Sequence, residues 1–187
     1  MAVVGAAGSG KSSSAQHLKE QFGFEVFTPS AAIREYARAH DMPLTSRRDY
    51  ALAHRAIIAD NGAAYLPGRA LAMETDRLVI DGLRSRRYRD VLRGAGAVVI
   101  GLECSLGVRF ARVQDSDDRA KYPSTPATFA QNELDEELVE LAPGMRLETE
   151  ALVTEADYKI DASRPQAEVF ADLDLIVERL VGERPTV

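Results

Sequence analysis

The chain has 187 residues, 45% hydrophobic and 28% charged, values that fit one globular domain with a proper core and exclude a disordered or fibrous chain. A net charge of −6 argues against a general nucleic-acid-binding surface, and no apolar run approaches the ~20 residues needed to span a bilayer, so neither a nucleic-acid nor a membrane partner is expected. A single cysteine, Cys104, excludes an internal disulfide, and with neither a basic segment nor a long apolar stretch at the start the expected compartment is the cytoplasm.

Ala2–Val4 reads as a short strand that runs directly into GAAGSGKS, residues 5–12. Gly5, four further residues, then Gly10, Lys11 and Ser12 is the spacing of a phosphate loop. Glycines let the backbone approach a ligand closely, successive N–H groups then form a concave anion site, and the following helix adds the positive end of its dipole. The residues expected to line that cradle are Gly5, Ala6, Ala7, Gly8, Ser9, Gly10, Lys11, Ser12 and Ser13. The Lys11 ammonium is expected to reach the terminal phosphates of a nucleotide, and the Ser12 hydroxyl to bind Mg²⁺. KSSSAQHLKEQF supplies the helix that the pattern requires, with Ala15, Leu18 and Phe22 on one face and Gly23 as its stop.

FEVFT, Phe24–Thr28, reads as the next strand. A mostly helical stretch follows, at Ser30–His40, at Arg47–Asn61 and at Ala63–Thr75, the last expected to break near Pro67-Gly68. RLVIDG, Arg77–Gly82, reads as a buried strand that ends on Asp81, where a carboxylate is placed to orient the waters of Mg²⁺. A helix at Arg86–Arg93 precedes the strand Ala97–Cys104, and Arg86, Arg87 and Arg89 read as solvated helix residues. In the helix Leu106–Val113, Arg109 and Arg112 share one face, and Leu106, Phe110 and Val113 form the expected core face. Gln114–Thr125 is polar and irregular and reads as a mobile loop, and its Asp115, Asp117 and Asp118 lack the full calcium-loop spacing. Thr125-Pro126 opens another helix, with an expected apolar stripe of Leu134, Leu138 and Leu141. ADYKIDA, Ala156–Ala162, is the last strand, Gln166–Leu180 the last helix, and the tail Gly182–Val187 is expected to fray. His17, His40 and His54 lie in helices without an acidic partner at fixed spacing and read as surface or supporting residues. Strands alternating with helices predict an α/β fold, a parallel sheet with helices on both faces, with ligands bound at the carboxyl ends of the strands.

The phosphate loop, Ser30-x-x-Ile33-Arg34, VIDGLRS (Val79–Ser85), Arg109 and Arg112, the loop arginine Arg119 and ADYKID together resemble the nucleoside monophosphate kinase group, which includes adenylate kinase and dephospho-coenzyme A kinase. The resemblance implies a three-layer α/β/α kinase fold around a five-stranded parallel sheet of order 2-3-1-4-5. It also implies a helical acceptor-binding insertion at 29–75, a lid at 114–125, and ATP with Mg²⁺ as the cofactors. Carried over by residue, it implies that Arg34 and Arg84 grip the acceptor's phosphate, and that Arg109, Arg112 and Arg119 neutralise the transferring group or stack on adenine. Arginine suits such bidentate phosphate contacts, and phosphoryl transfer needs positioning and electrostatics more than covalent work.

The departures from the group carry information too. Thr28-Pro29-Ser30 holds no carboxylate where dephospho-coenzyme A kinases have a candidate base, which favours a monophosphate acceptor, already nucleophilic, over a sugar hydroxyl. Leu83 stands where adenylate kinase usually has a proline, and the lid has no Cys or His cluster for zinc. The leading expectation is an ATP-dependent kinase of a small phosphorylated acceptor, most simply a ribo- or deoxynucleoside monophosphate, working as a monomer or homodimer. Other small-molecule acceptors, and a nucleotide-binding switch without transfer, stay open.

Overall fold

In the computed structural model, which describes residues 1–117 and 119–181, Ala2–Val4 forms the innermost strand, β1, and all three residues are fully buried. The other strands are β2 (Glu25–Phe27), β3 (Leu78–Asp81), β4 (Val99–Glu103), β5 (Glu140–Ala142), β6 (Met145–Arg146) and β7 (Tyr158–Asp161). The helices are α1 (Lys11–Phe22), α2 (Pro29–Ala39), α3 (Arg47–Asn61), α4 (Tyr65–Leu71), α5 (Arg86–Gly94), α6 (Leu106–Gln114), α7 (Pro126–Glu137), α8 (Thr149–Thr154) and α9 (Gln166–Val181). Asp118 and the tail 182–187, read above as loop and frayed end, lie outside the described residues. No helix among the described residues is long and apolar enough to cross a membrane.

Five strands pair in parallel in the order β2-β3-β1-β4-β7. This is the expected 2-3-1-4-5 arrangement; the fifth strand is seventh in the chain because the antiparallel pair β5–β6 comes before it. Alternation along β1 sends Ala2 and Val4 to one face and Val3 to the other. On the first face they join Ile80 and Val99 under α2 to α5 and α8; on the second, Val3 joins Val79, Ile100 and Ile160 under α1 and α9. That gives three layers, with the strand ends Val4, Asp81 and Glu103 on the edge from which the loops emerge.

Local expectations fail at four places, each for a physical reason. Helix α4 runs unbroken through Pro67, because proline in a first turn removes an amide that would have no helical partner anyway. Helix α7 stops at Glu137, so its Leu134 and Leu138 are exposed, while Leu141 is buried in β5 beyond the helix. On α6 the buried pair is Arg109 and Val113 rather than a wholly apolar face, because Cys104 O, Ala7 O and Glu133 meet the Arg109 guanidinium. Arg86 and Arg89 are not simply solvated. Both pair with Glu155; Arg86 also reaches Glu148 at 3.3 Å, and Arg93 reaches Asp157 at 2.6 Å, so α5 is bound to α8 and the start of β7.

Two histidines have partners that sequence spacing could not supply. His54 of α3 is buried and shares a 2.5 Å hydrogen bond with the Tyr88 hydroxyl of α5, and burial lowers its pKa to about 4. His17 of α1 contacts Asp174 of α9 at 2.6 Å and stacks on Phe170 at 4.1 Å between ring centroids.

Candidate active site

The loop between β1 and α1 turns back on itself through Ser9 N–H to Ala6 O at 3.2 Å, with Gly8 and Gly10 at φ 76° and 96°. A side chain at Gly8 is excluded twice, by that φ and because its Cβ would stand 2.6 Å from the carbonyl oxygen of Arg109. At Gly10 the same left-handed backbone faces open space, with no heavy atom within 4 Å of a Cβ position. Helix α1 starts at Lys11 with no side chain capping it, so the first-turn amides are left to the loop and to whatever the loop holds.

The loop floors a cavity of about 870 Å³. Residues Ala7 to Ser14 line one end of it. The β2–β3 side contributes Thr28, Ser30, Arg34, Asp81, Gly82 and Arg84; the opposite side contributes Arg112, Val113, Tyr122, Gln166, Val169 and Phe170. Arg34, Arg84, Arg112, Lys11, Ser12 and Asp81 thus all open onto one space, at the carboxyl ends of the strands where ligands were expected.

Electrostatically, Lys11 is the centre. Its Nζ donates to Ala6 O at 2.9 Å. Burial, then the nearby Arg84, lower its pKa to about 8, against the opposing pull of Asp81. A lysine in that position is a cation short of compensation, which an anion supplies. Arg34, exposed, lies 3.4 Å from Ser30 Oγ and 3.5 Å from the Tyr50 hydroxyl. Arg84 pairs with Glu136 at 2.9 Å. Arg112 donates to Arg164 O at 3.2 Å.

Two predicted arginines do not line the cavity in this arrangement. Arg109 is buried and braces the loop: it donates to Cys104 O at 3.0 Å and Ala7 O at 3.2 Å, pairs with Glu133, and lies 5.6 Å over the Phe129 ring. Arg119 is exposed in a short 3-10 turn at Arg119–Lys121. Sequence reasoning passed over Glu133 and Glu136, the α7 carboxylates that hold Arg109 and Arg84; their i, i+3 spacing was the available signal. It also passed over Tyr122, Gln166 and Phe170, for which no local pattern exists.

A magnesium–nucleotide fits these residues. Ser9 Oγ and Ser14 Oγ are buried beside the loop without a hydrogen-bond partner, Gly10 leaves its cradle open, and Lys11 is an under-compensated cation. Ser12 supplies an exposed hydroxyl and Asp81 a carboxylate on the same cavity, the hard oxygen donors that Mg²⁺ takes.

A family model described as "AAA domain" (AAA_18) matches residues 1–140. Among solved structures, TT1252 from Thermus thermophilus superposes with a TM-score of 0.64 at 14% identity, covering 97% of each chain. A gluconokinase from Sinorhizobium meliloti 1021 gives 0.56 at 21% identity, over 96% of this chain and 91% of that one. A shikimate kinase from Acinetobacter baumannii, in complex with shikimate, gives 0.54 at 16%, again over 96% and 91%. No curated protein matches significantly. At such identities the likeness establishes the fold, and the phosphate loop, the five-strand order and the matched model agree: the chain has the phosphate-loop kinase fold and belongs to the AAA domain family.

Proposed function

We propose that the protein transfers the γ-phosphoryl group of ATP to a small anionic acceptor, most simply a ribo- or deoxynucleoside monophosphate. One observation carries this reading: a single cavity joins the phosphate loop to Arg34 and Arg84, which come from different elements. A nucleotide-binding switch needs the loop but has no use for two further arginines on the same cavity.

The nucleotide's phosphates lie along the backbone amides of Gly8 to Ser12, and Lys11 stays with the γ-phosphoryl group as negative charge shifts toward the bridging oxygen. The Ser12 hydroxyl and the Asp81 carboxylate would hold Mg²⁺, which would neutralise phosphate charge. Arg34 and Arg84 fix the acceptor in line, so the reaction draws on orientation rather than on a base. Arg109 acts indirectly, by holding the loop at Ala7. Helices α2 to α4, within 29–75, serve as the acceptor-binding insertion, and 114–125 as a lid whose closure brings Arg119 inward and excludes water.

A second reading is favoured by the chemistry of the acceptor side. Thr28, Ser30, Arg34, Asp81 and Arg84 offer hydroxyls and charges but no apolar ring to stack against a nucleobase. A hydroxylated acid or phosphorylated sugar suits such a wall, and the fold is shared with the gluconokinase and the shikimate kinase above.

The test is a coupled assay for ADP release with Mg·ATP against nucleoside monophosphates, dephospho-coenzyme A, gluconate and shikimate, with a no-acceptor control. Acceptor-dependent ADP release by any of these supports transfer and selects between the two readings. ATP binding with no stimulation by any of them overturns both in favour of a switch.

A further inference from the structure

Helix α7 carries two carboxylates one turn apart, and each engages an arginine of the site. Glu133 pairs with Arg109, which donates to Ala7 O in the phosphate loop at 3.2 Å. Glu136 pairs with Arg84, Nη1 to Oε2 at 2.9 Å, and Arg84 lines the cavity close enough to Lys11 to lower its pKa. The side chains of Arg84 and Glu136 are 38% and 21% exposed, so the pair is shielded in part and still reachable by a ligand. The helix starts at Pro126, immediately after the 114–125 loop, and the chain continues into β5, where Glu140 O accepts from Arg55 Nε of α3 at 2.7 Å. One short segment therefore reaches the phosphate loop through Arg109 and directly meets an acceptor-side arginine and Arg55 of the helices between β2 and β3.

We propose that Glu136 is a positioning residue that holds the acceptor's place on Arg84: an arriving anion displaces it, and α7 then moves together with the loop that precedes it. The inference rests on the phosphotransferase reading and adds a coupling to it. A phosphate group carries more charge than a carboxylate and offers the same forked pair of acceptors, so it wins Arg84 when it comes. Before that, the Glu136 carboxylate satisfies the guanidinium and keeps α7 tied to the strand end. The lid then closes only after the acceptor is in place, and ATP is spared reaction with water.

The chain contains no tryptophan, so Tyr122→Trp places a single fluorophore at the edge of the loop. In that background, with Mg²⁺ and a saturating non-hydrolysable ATP analogue, inorganic phosphate is titrated as the acceptor-side probe. Glu136→Gln is expected to bind phosphate roughly 5-fold tighter and to show, before any phosphate is added, the emission that the parent reaches only with it. Glu136→Asp, which keeps the charge, is expected to stay near the parent, and adding Arg84→Ala to Glu136→Gln to abolish the gain. Unchanged phosphate affinity together with unchanged emission in Glu136→Gln overturns the inference. If Glu136→Gln does not fold, Glu136→Ala is put through the same titration with the same criteria. A protein that shows the Glu136 effect but turns over no acceptor keeps the coupling and loses the phosphotransferase reading; a protein that turns over an acceptor without the Glu136 effect does the reverse.

Discussion

The two long walls of the cavity differ in material. On the α6–α9 side, Val113, Tyr122, Val169 and Phe170 present apolar and aromatic surface among the polar Arg112, Ser116 and Gln166, and Phe170 is backed by the stacked ring of His17. On the β2–β3 side, Thr28, Ser30, Arg34, Asp81 and Arg84 present hydroxyls and charge. The first wall can take a flat ring by burying its area, a contact that tolerates small changes of shape. The second recognises by charge and fork geometry, which fail abruptly when a partner is missing. Under the proposed transfer, the difference assigns selectivity to the polar wall and affinity to the apolar one.

The sharpest way to break that comparison is to remove what both walls share. Lys11→Ala is expected to cut turnover by ~10²-fold or more whichever acceptor is used, measured as ADP release, because it removes the charge that follows the moving group. Near-normal turnover would contradict the proposed chemistry. Gly8→Ala is expected to destabilise the fold by about 2 kcal/mol in a urea titration and to weaken nucleotide binding, since a Cβ at that φ meets Arg109 O at 2.6 Å. Arg34→Ala sharpens the contrast: it should raise the acceptor KM by about 10-fold while the KM for ATP holds, and Phe170→Ala should do the opposite. An ATP effect of Arg34→Ala equal to its acceptor effect would mean that the walls do not divide the labour.

The smallest expected effect is a proton. With its pKa lowered from the ordinary 10.5 to about 8, Lys11 is mostly charged below pH 8 and mostly neutral above it. A bound polyphosphate favours the charged form and raises the pKa again. Nucleotide binding should therefore take up a fraction of a proton between pH 8 and 10, read by calorimetry in two buffers of different ionisation enthalpy, with affinity falling as pH rises through that window. No proton uptake there would show that the ammonium does not meet the phosphates.

The phosphate loop was legible because its chemistry lies in eight consecutive residues, and the parallel sheet because short apolar strands alternate with helices; the strand order came with the family resemblance. Arg34, Arg84 and Arg112 were legible as cavity residues through the resemblance to the nucleoside monophosphate kinase group, whose motifs they match. The buried side of α6 was not, since a helical period marks apolar residues and Arg109 is buried by virtue of Ala7 O, Cys104 O and Glu133, partners up to 102 residues away in the chain. The β5–β6 pair was missed because the apolar spacing of Leu134, Leu138 and Leu141 continues past the true helix end at Glu137. The i, i+3 spacing of Glu133 and Glu136 marked a shared helix face but not its partners; only the folded chain puts Glu136 2.9 Å from Arg84.

The charges that join α5 to α8 and β7 have a thermal consequence. Arg86, Arg89 and Arg93 meet Glu148, Glu155 and Asp157 over 60 residues later in the chain, and Asp157 also accepts from Val99 N at 2.8 Å, where β4 begins. Exposed pairs of this kind contribute little at room temperature. Water's hold on charged groups weakens on warming, while the gain from apolar burial levels off. The β4–β7 edge, laced by this network, should be the last part of the sheet to open on heating, and the β2 edge, with a partly exposed three-residue strand, the first.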